Sequence, residues 1–513
     1  MIVIGVDVGT TGVKAVAFAE DGSIAGSAYE EYPLRFTFPG AVELDAAGVR
    51  AAALRVIGEA AAESGRAAEV RAAEVRAIGV ASQGEAFAAV DGAGAVLCDL
   101  MVSSDTRGEA HMEALARQVG PERLYAITGH TPHPMYSAGK LLWLREHRPD
   151  VWAVAARFLF AADLVTALLS GETFTDHSIA ARTMLFDVRA RDWSQAMLDL
   201  VGLDRARLPR LVRAGNRAAQ VRADVAGTLG LPADTLVTTA GHDQPVGALG
   251  CGAATPGAAS YSIGTVECIT PALAEARLTE DLRAANLAVY PHVVGELYAS
   301  VAFNVTGGSA LRWLRDVLLP DVAKEASAAG EDPYDRITAM ASPTPSHLAL
   351  VPHFGPTGTP HFDVDGAGVL FGLGLSTSRA DIVRAFLEGI TLEMRWNLEA
   401  LRSAGFRLTE LRAIGGGSRS RVWMQIKADI LGVPLVSMRV TEATCMGAAL
   451  LAGQAAGAWD AGEQSRRWAA ADRVYEPSTA HAGAYAERFA LYQDVYRALG
   501  PARARLGQMK GTN

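Results

Sequence analysis

The sequence predicts an α/β protein of two similar domains, on three observations. At 513 residues the chain is longer than one ordinary hydrophobic core accommodates. Its opening segment reads strand, strand, strand, helix, strand, a layout that mixes antiparallel hairpins with a parallel crossover. Finally, IGVDVGTTGVKAVAF near the start and YSIGTVECITPAL past the middle share a strand–Gly–Thr–strand string. That string is short enough to arise by chance; read as a repeat, it means two units of one topology.

Apolar runs at residues 2–8, 13–19 and 24–30 are read as strands, with residues 9–12 and 20–23 as turns. Leu44, Val49, Ala52, Val56 and Ile57 form the apolar stripe of a helix over residues 45–64, and residues 75–81 make a buried strand. Helical patterns dominate residues 107–211, clearest at 140–147, before a strand at 236–239. The Gly-rich AGHDQPVGALGCGAATPG after it is an expected interdomain crossing. Strands at 258–263 and 266–270, a helix at 309–319, a Pro- and Gly-rich loop at 352–368 and a long helix at 378–404 follow. Then come a strand at 411–414, glycines at 415–417, a helix to 431, a strand at 435–438 and an Ala-rich helix at 443–456. The remaining tail reads as helical and more polar. Expected domains are residues 1–245, residues 246–460 and a helical extension at 461–513 packed on the second domain.

Half of the residues are hydrophobic and 20% are charged, the balance of a globular chain. A net charge of −9 with dispersed Lys and Arg leaves no basic footprint for nucleic acid, so a small-molecule partner is expected. Cys98, Cys251, Cys268 and Cys445 lack metal spacing and read as reduced thiols. Asp7 interrupts the apolar run after Met1, and no apolar stretch reaches the roughly 20 residues of a membrane helix. The expectation is a soluble, cytoplasmic protein with no membrane partner, a homodimer being left open.

DVGTTGVKA places Asp7 at a strand end and Gly9, Thr10, Thr11 and Gly12 in a tight turn. Small residues let backbone N–H groups and two hydroxyls face one anion, with Lys14 adding positive charge. That suits a phosphate; the plainer reading is a hairpin with a polar tip. Asp7 would repel phosphate unless a divalent cation, Mg²⁺, intervenes. In GHDQPVGALG, Asp243 either caps a helix starting at Gln244 or, at the mouth of a cleft, takes a proton from an attacking alcohol. His242 reads as its packed or hydrogen-bonding neighbour. Glycines 415–417 stand between a strand and a helix and let a flat ring approach the backbone, while Ser418 or Ser420 can cap the helix or bond a nucleoside. His130, His133, His353 and His361 have neither helical spacing nor a cysteine nearby and are read as loop histidines.

DVGTTGVKA resembles the first phosphate segment of the FGGY carbohydrate kinases, which include glycerol kinase and xylulokinase, and the resemblance recurs in order from residue 2 to about 456. It implies two ribonuclease-H-like domains of the actin-like ATPase kind around a central cleft. ATP and Mg²⁺ are the implied cofactors, and the γ-phosphate passes to a hydroxyl of a sugar, ketose or polyol, with a xylulose-like pentulose or a tetritol foremost. The resemblance makes Asp243 the general base and Asp7 the metal residue, directly or through water. It puts Thr10, Thr11 and Lys14, with Gly264 and Thr265 of YSIGTVECI, on the phosphates. Gly308 of VTGGSALRWLRD falls near the nucleotide, and Gly416, Gly417 and Ser420 belong to the adenosine segment. TEATCMGAALLAG reads as a packing helix.

The acceptor side departs from the family. GVASQGEAFAAVD stands where relatives read Gln-Met-His-Gly or Gln-Arg-Glu, and Gly84 leaves room where a larger side chain normally stands, which implies a different or bulkier polyol. In SSDTR, Asp105 either reaches substrate or pairs with Arg107. Gln83, Gly84, Glu85, Asp105, Asp243 and Gln244 are the expected acceptor contacts. The alternative on the same fold is a catalytically weak actin-like ATPase or a sugar-sensing regulator. Retention of Asp7, Lys14 and Asp243 favours chemistry.

Overall fold

A computed structural model of the chain describes residues 1–67, 75–217 and 219–510. The opening apolar runs form β1 (Ile2–Val8), β2 (Gly12–Ala19) and β3 (Ile24–Glu31), an antiparallel meander. After α1 (Ala46–Ala67), β4 (Val75–Ser82) enters parallel to β1, and β5 (Leu236–His242) lies parallel to β4. β1 and β4 are buried almost throughout, as strands covered on both faces by helices must be.

The second half repeats this plan. β6 (Ala258–Ile263) and β7 (Glu267–Leu273) form an antiparallel hairpin, and β8 (Glu410–Ile414) and β9 (Leu435–Met438) add parallel to β6 in turn. The shared strand–Gly–Thr–strand string therefore marks the same hairpin in two sheets of matching strand order.

Two helices lie between the sheets. α2 (Asp243–Gly250) follows β5 directly, so the boundary expected at 245/246 falls within it. α6 (Ala443–Ala455) packs on α2 and on β1 and β4. Backbone meets backbone there: a Cβ built on Gly5, Gly79 or Gly447 would run into the carbonyl oxygens of Cys445, Ala448 and Val246. The packing expected of TEATCMGAALLAG thus joins the two halves. Between α2 and α6 in the chain come α3 (Gly308–Trp313), α4 (Arg379–Ser403) and α5 (Arg421–Leu431).

Two stretches differ from expectation. The helical region 107–211 is broken by short strands at Arg157–Phe160, Phe174–Asp176, Phe186–Asp187 and Arg210–Val212. The polar tail includes β10 (Ala471–Tyr475), an antiparallel edge strand on β9, exposed at every position but the last and so without an alternating apolar signature. The tail also touches both halves. Trp468 stacks on Phe18 at 5.7 Å and donates to the Glu20 carbonyl, while Tyr485 bonds Arg384 and Glu388 of α4.

Candidate active site

The carboxyl ends of β1, β4 and β5 bring the first-domain residues together. Asp7 is level with Ala81 across β1 and β4, and Ala81 is level with Gly241 across β4 and β5. Asp7, the Gln83–Gly84–Glu85 segment and Asp243 thus follow three adjacent parallel strands at one end of the sheet, where open α/β sheets place ligands. Gly241 makes the last turn possible: its φ of 108° lies in the left-handed region, and a Cβ would stand 2.6 Å from Ser178 Oγ. The chain swings there into α2, with His242 as the N-cap and Asp243 as the first helical residue. The reading of Asp243 as the cap of a helix starting at Gln244 is thereby corrected: the helix begins one residue earlier, and its N-terminus favours an anion at Asp243.

Asp243 keeps 30% of its side-chain surface open, enough for a substrate hydroxyl to reach it. Burial raises its pKa to about 8; the charges of Asp7 and Glu85 add to this and Arg182 opposes it. Oδ1 lies 3.1 Å from His242 Nε2, and His242 Nδ1 lies 3.0 Å from the Tyr290 hydroxyl. Burial holds His242 well below the usual imidazole range. A neutral His242 that accepts the Tyr290 proton at Nδ1 donates Nε2–H to Asp243, which orients the carboxylate.

The first turn is closed by Gly9 N–H donating to the Gly12 carbonyl at 3.0 Å. Thr11 is its exposed tip, and Thr10 Oγ1 donates to Gln83 Oε1 at 3.2 Å, tying the turn to the end of β4. Asp7 Oδ1 is buried with no hydrogen-bond partner among the described residues. Burial raises the Asp7 pKa to about 7, with Glu442 adding and Lys14 opposing. Lys14 Nζ pairs with Glu442 Oε2 at 2.9 Å, a partner the sequence reading missed because it lies more than four hundred residues away.

In the second half, Gly308 N–H donates to the Gly264 carbonyl at 2.8 Å, locking the start of α3 against the turn of the second hairpin. Gly264, Thr265, Gly308, Gly416, Gly417 and Ser420 line a single cavity of about 230 Å³. Its other wall, Tyr334, Asp335 and Thr338, carries no signal in the sequence beyond a helical pattern. Ser420 is the cap of α5: its Oγ accepts from Trp423 N–H at 3.3 Å and pairs with Thr338 Oγ1 at 3.0 Å, whereas Ser418 bonds the Gly415 carbonyl.

On the acceptor side, Gln83 Nε2 is buried without a partner among the described residues, and Gln244 is half-buried in the first turn of α2. Two expectations are corrected. The room above Gly84 is filled, because Arg182 lies over it and a Cβ at 84 would stand 2.7 Å from Arg182 Cγ; a bulkier acceptor does not follow. Asp105 is fully buried, accepting from Val42 N–H at 2.7 Å and pairing with Arg107, which also holds Glu43. It braces its loop and has no oxygen to spare for a substrate. Arg182 is a residue the sequence hid, the single charge in the string IAARTMLF. Among the loop histidines, burial keeps His130 and His133 neutral, and His353 and His361 pack on Glu393.

Family profiles for the FGGY family of carbohydrate kinases match residues 2–250 with the N-terminal domain and residues 259–456 with the C-terminal domain. The chain belongs to this family. This FGGY kinase is 32% identical over 489 residues to the glycerol kinase of Bordetella parapertussis, covering 93% of each chain. It is 26% identical over 499 residues to the xylulose kinase of Staphylococcus epidermidis, covering 97% of this chain and 96% of that one. Its fold matches a xyloylose kinase from Brucella ovis with a TM-score of 0.88 at 28% identity, covering 98% of this chain and all of the other. The match to Plasmodium falciparum glycerol kinase with ADP, TM-score 0.85 at 21% identity over 97% of this chain and 98% of that one, is a likeness of fold alone. The two domains are thus of the expected actin-like kind, and the FGGY kinase is a phosphotransferase that uses ATP on a sugar or polyol. No helix among the described residues is long and apolar enough to cross a membrane.

Proposed function

We propose that this kinase moves the γ-phosphate of ATP to a hydroxyl of a small polyol or ketose, a xylulose-like pentulose or a tetritol foremost, with Asp243 as general base. The observation that carries the reading is the placement of Asp243, at the ends of β4 and β5, part-exposed and 3.1 Å from His242 Nε2. Ionised, it accepts a hydroxyl proton, a contribution typically of about 10²–10⁴-fold, and a cation at Asp7 would offset the neighbouring negative charge that helps raise its pKa. The rest of phosphoryl transfer is positioning and charge neutralisation. The backbone at Gly264 and Gly308, with the hydroxyls of Thr10, Thr11 and Thr265, would hold the phosphates. Lys14 would exchange Glu442 for phosphate oxygens, and Gly416, Gly417 and Ser420 would seat the nucleoside.

The buried, unpartnered Oδ1 of Asp7 fits an Mg²⁺ site, directly or through water, because such a carboxylate lacks only a cation or a donor. Mg²⁺, when bound, supplies charge neutralisation at the phosphates. Glycerol kinase and xylulose kinase as relatives favour acceptors of three to five carbons. An ADP-coupled screen of glycerol, tetritols, pentuloses and hexuloses tests the reading. Polyol-dependent ADP release is expected; hydrolysis indifferent to polyol would favour an actin-like ATPase instead, and ligand binding without turnover a sensor.

A further inference from the structure

Two helices of the first domain bring together side chains that the phosphate chemistry does not use. Glu109–Val119 and Ser137–His147 cross backbone to backbone, since a Cβ on Gly108 would stand 2.5 Å from the Gly139 carbonyl carbon and one on Gly139 would stand 2.7 Å from the Gly108 oxygen. One turn on from Gly108, His111 meets Glu146 and His147 of the second helix. One donor atom from each of the three lies within 4.8 Å of the other two. His111 Nε2 lies 3.0 Å from Glu146 Oε2, while its Nδ1 is buried, so Nε2 is the nitrogen it can offer. His147 Nδ1 donates to the Trp143 carbonyl at 3.1 Å, which fixes the tautomer and leaves Nε2 with the lone pair. A His–Glu contact with 69% of the carboxylate side chain open adds little to a fold. Two imidazoles and a carboxylate set on rigidly crossed helices are a ligand set.

We propose that His111, Glu146 and His147 form a binding site for a divalent transition-metal ion of the zinc kind. Imidazole nitrogen selects zinc, nickel or copper over magnesium, which prefers a shell of oxygens. Zn–N and Zn–O bonds of about 2.0–2.2 Å put tetrahedral ligands roughly 3.4 Å apart, so the three donors need only close in slightly. Glu146 and His147 are exposed and free to make that adjustment. The ion takes the place of the proton between His111 Nε2 and Glu146 Oε2, and water completes its shell. Once bound, it ties the two helices at a second point beside the glycine crossing. The His147 ring stacks on Trp143 at 4.8 Å, and the Arg107 guanidinium lies 4.8 Å over the same indole, so the tie bears on the brace between Arg107 and Asp105. The role is that of a structural clamp, and it does not depend on the phosphotransfer reading above.

The test is equilibrium dialysis of the full chain against Zn²⁺, with Mg²⁺ and ADP saturating so that zinc does not compete for the Asp7 carboxylate. One equivalent is expected to bind with a Kd below about 100 µM. Two variants are compared with the wild type: Glu146→Gln, which alters one exposed side chain and leaves the fold alone, and the double variant His111→Ala with His147→Ala. Each is expected to weaken that equivalent at least about tenfold. Co²⁺ in place of zinc is expected to show the strong visible bands of a four- or five-coordinate ion in the wild type and in neither variant. Zinc is further expected to raise the midpoint of thermal unfolding of the wild type and not of the double variant. Binding weaker than about 100 µM, or undiminished binding in either variant, overturns the site. So do the weak Co²⁺ bands of a six-coordinate hydrated ion, and an equal rise in the unfolding midpoint with and without the two histidines overturns the clamp.

Discussion

The two hairpins share a topology and hold charge in opposite ways. Beside the first, Lys14 and Glu442 meet at 2.9 Å with 32% and 31% of their side chains exposed. Beneath the second, Lys427 and Glu267 meet at 2.8 Å with neither exposed, and Tyr261 bonds both. The partly exposed pair parts more cheaply than the buried one. On the proposed reading, the first half thus keeps ionisable groups available for phosphate, metal and proton. The second half fixes a neutral backbone cradle by a locked pair underneath it.

Lys427→Met attacks that contrast where the effect is largest. It strands Glu267 as an uncompensated buried charge, with an expected stability loss of about 3–5 kcal/mol in urea unfolding. A loss below about 1 kcal/mol would erase the distinction between the pairs. Lys14→Met is expected to do the reverse, lowering kcat about 10²–10³-fold through a lost phosphate contact. Its stability should move by about 1 kcal/mol or less, because the pair it breaks is partly open to solvent.

A smaller effect separates Asp243 from an ordinary surface carboxylate. Its folded pKa of about 8 lies above the ordinary aspartate value of 3.8, so the folded state binds the extra proton and this contribution to stability, full below about 3.8, is lost as pH rises through 8. Asp243→Asn should therefore gain thermal stability over the wild type between pH 5 and pH 8.5 in cation-free buffer, by about 1–3 °C, with the difference vanishing near pH 3.5. A difference that does not change with pH would mean that burial does not hold the proton there.

The sequence carried the plan of both sheets because strand, tight Gly-Thr turn and strand is a local pattern, and because α2 and α6 pack through small residues that stand out as runs. Asp243, the glycine run and the Ser420 cap were legible for the same reason. The partners were not. Glu442 reaches Lys14, and Arg182 reaches Glu85, across sequence gaps that no periodicity records. Asp105 looked available because its burial, and the Val42 amide that claims it, are set by the fold. β10 was hidden for a different reason: an exposed edge strand has no alternation to read.

The most direct measurement is Asp243→Asn in the ADP-coupled assay, paired with calorimetry of nucleotide binding. The account predicts a fall in kcat of at least about 10²-fold with the nucleotide Kd within about twofold of wild type. Near-normal turnover in that variant would contradict it, removing Asp243 from the base role.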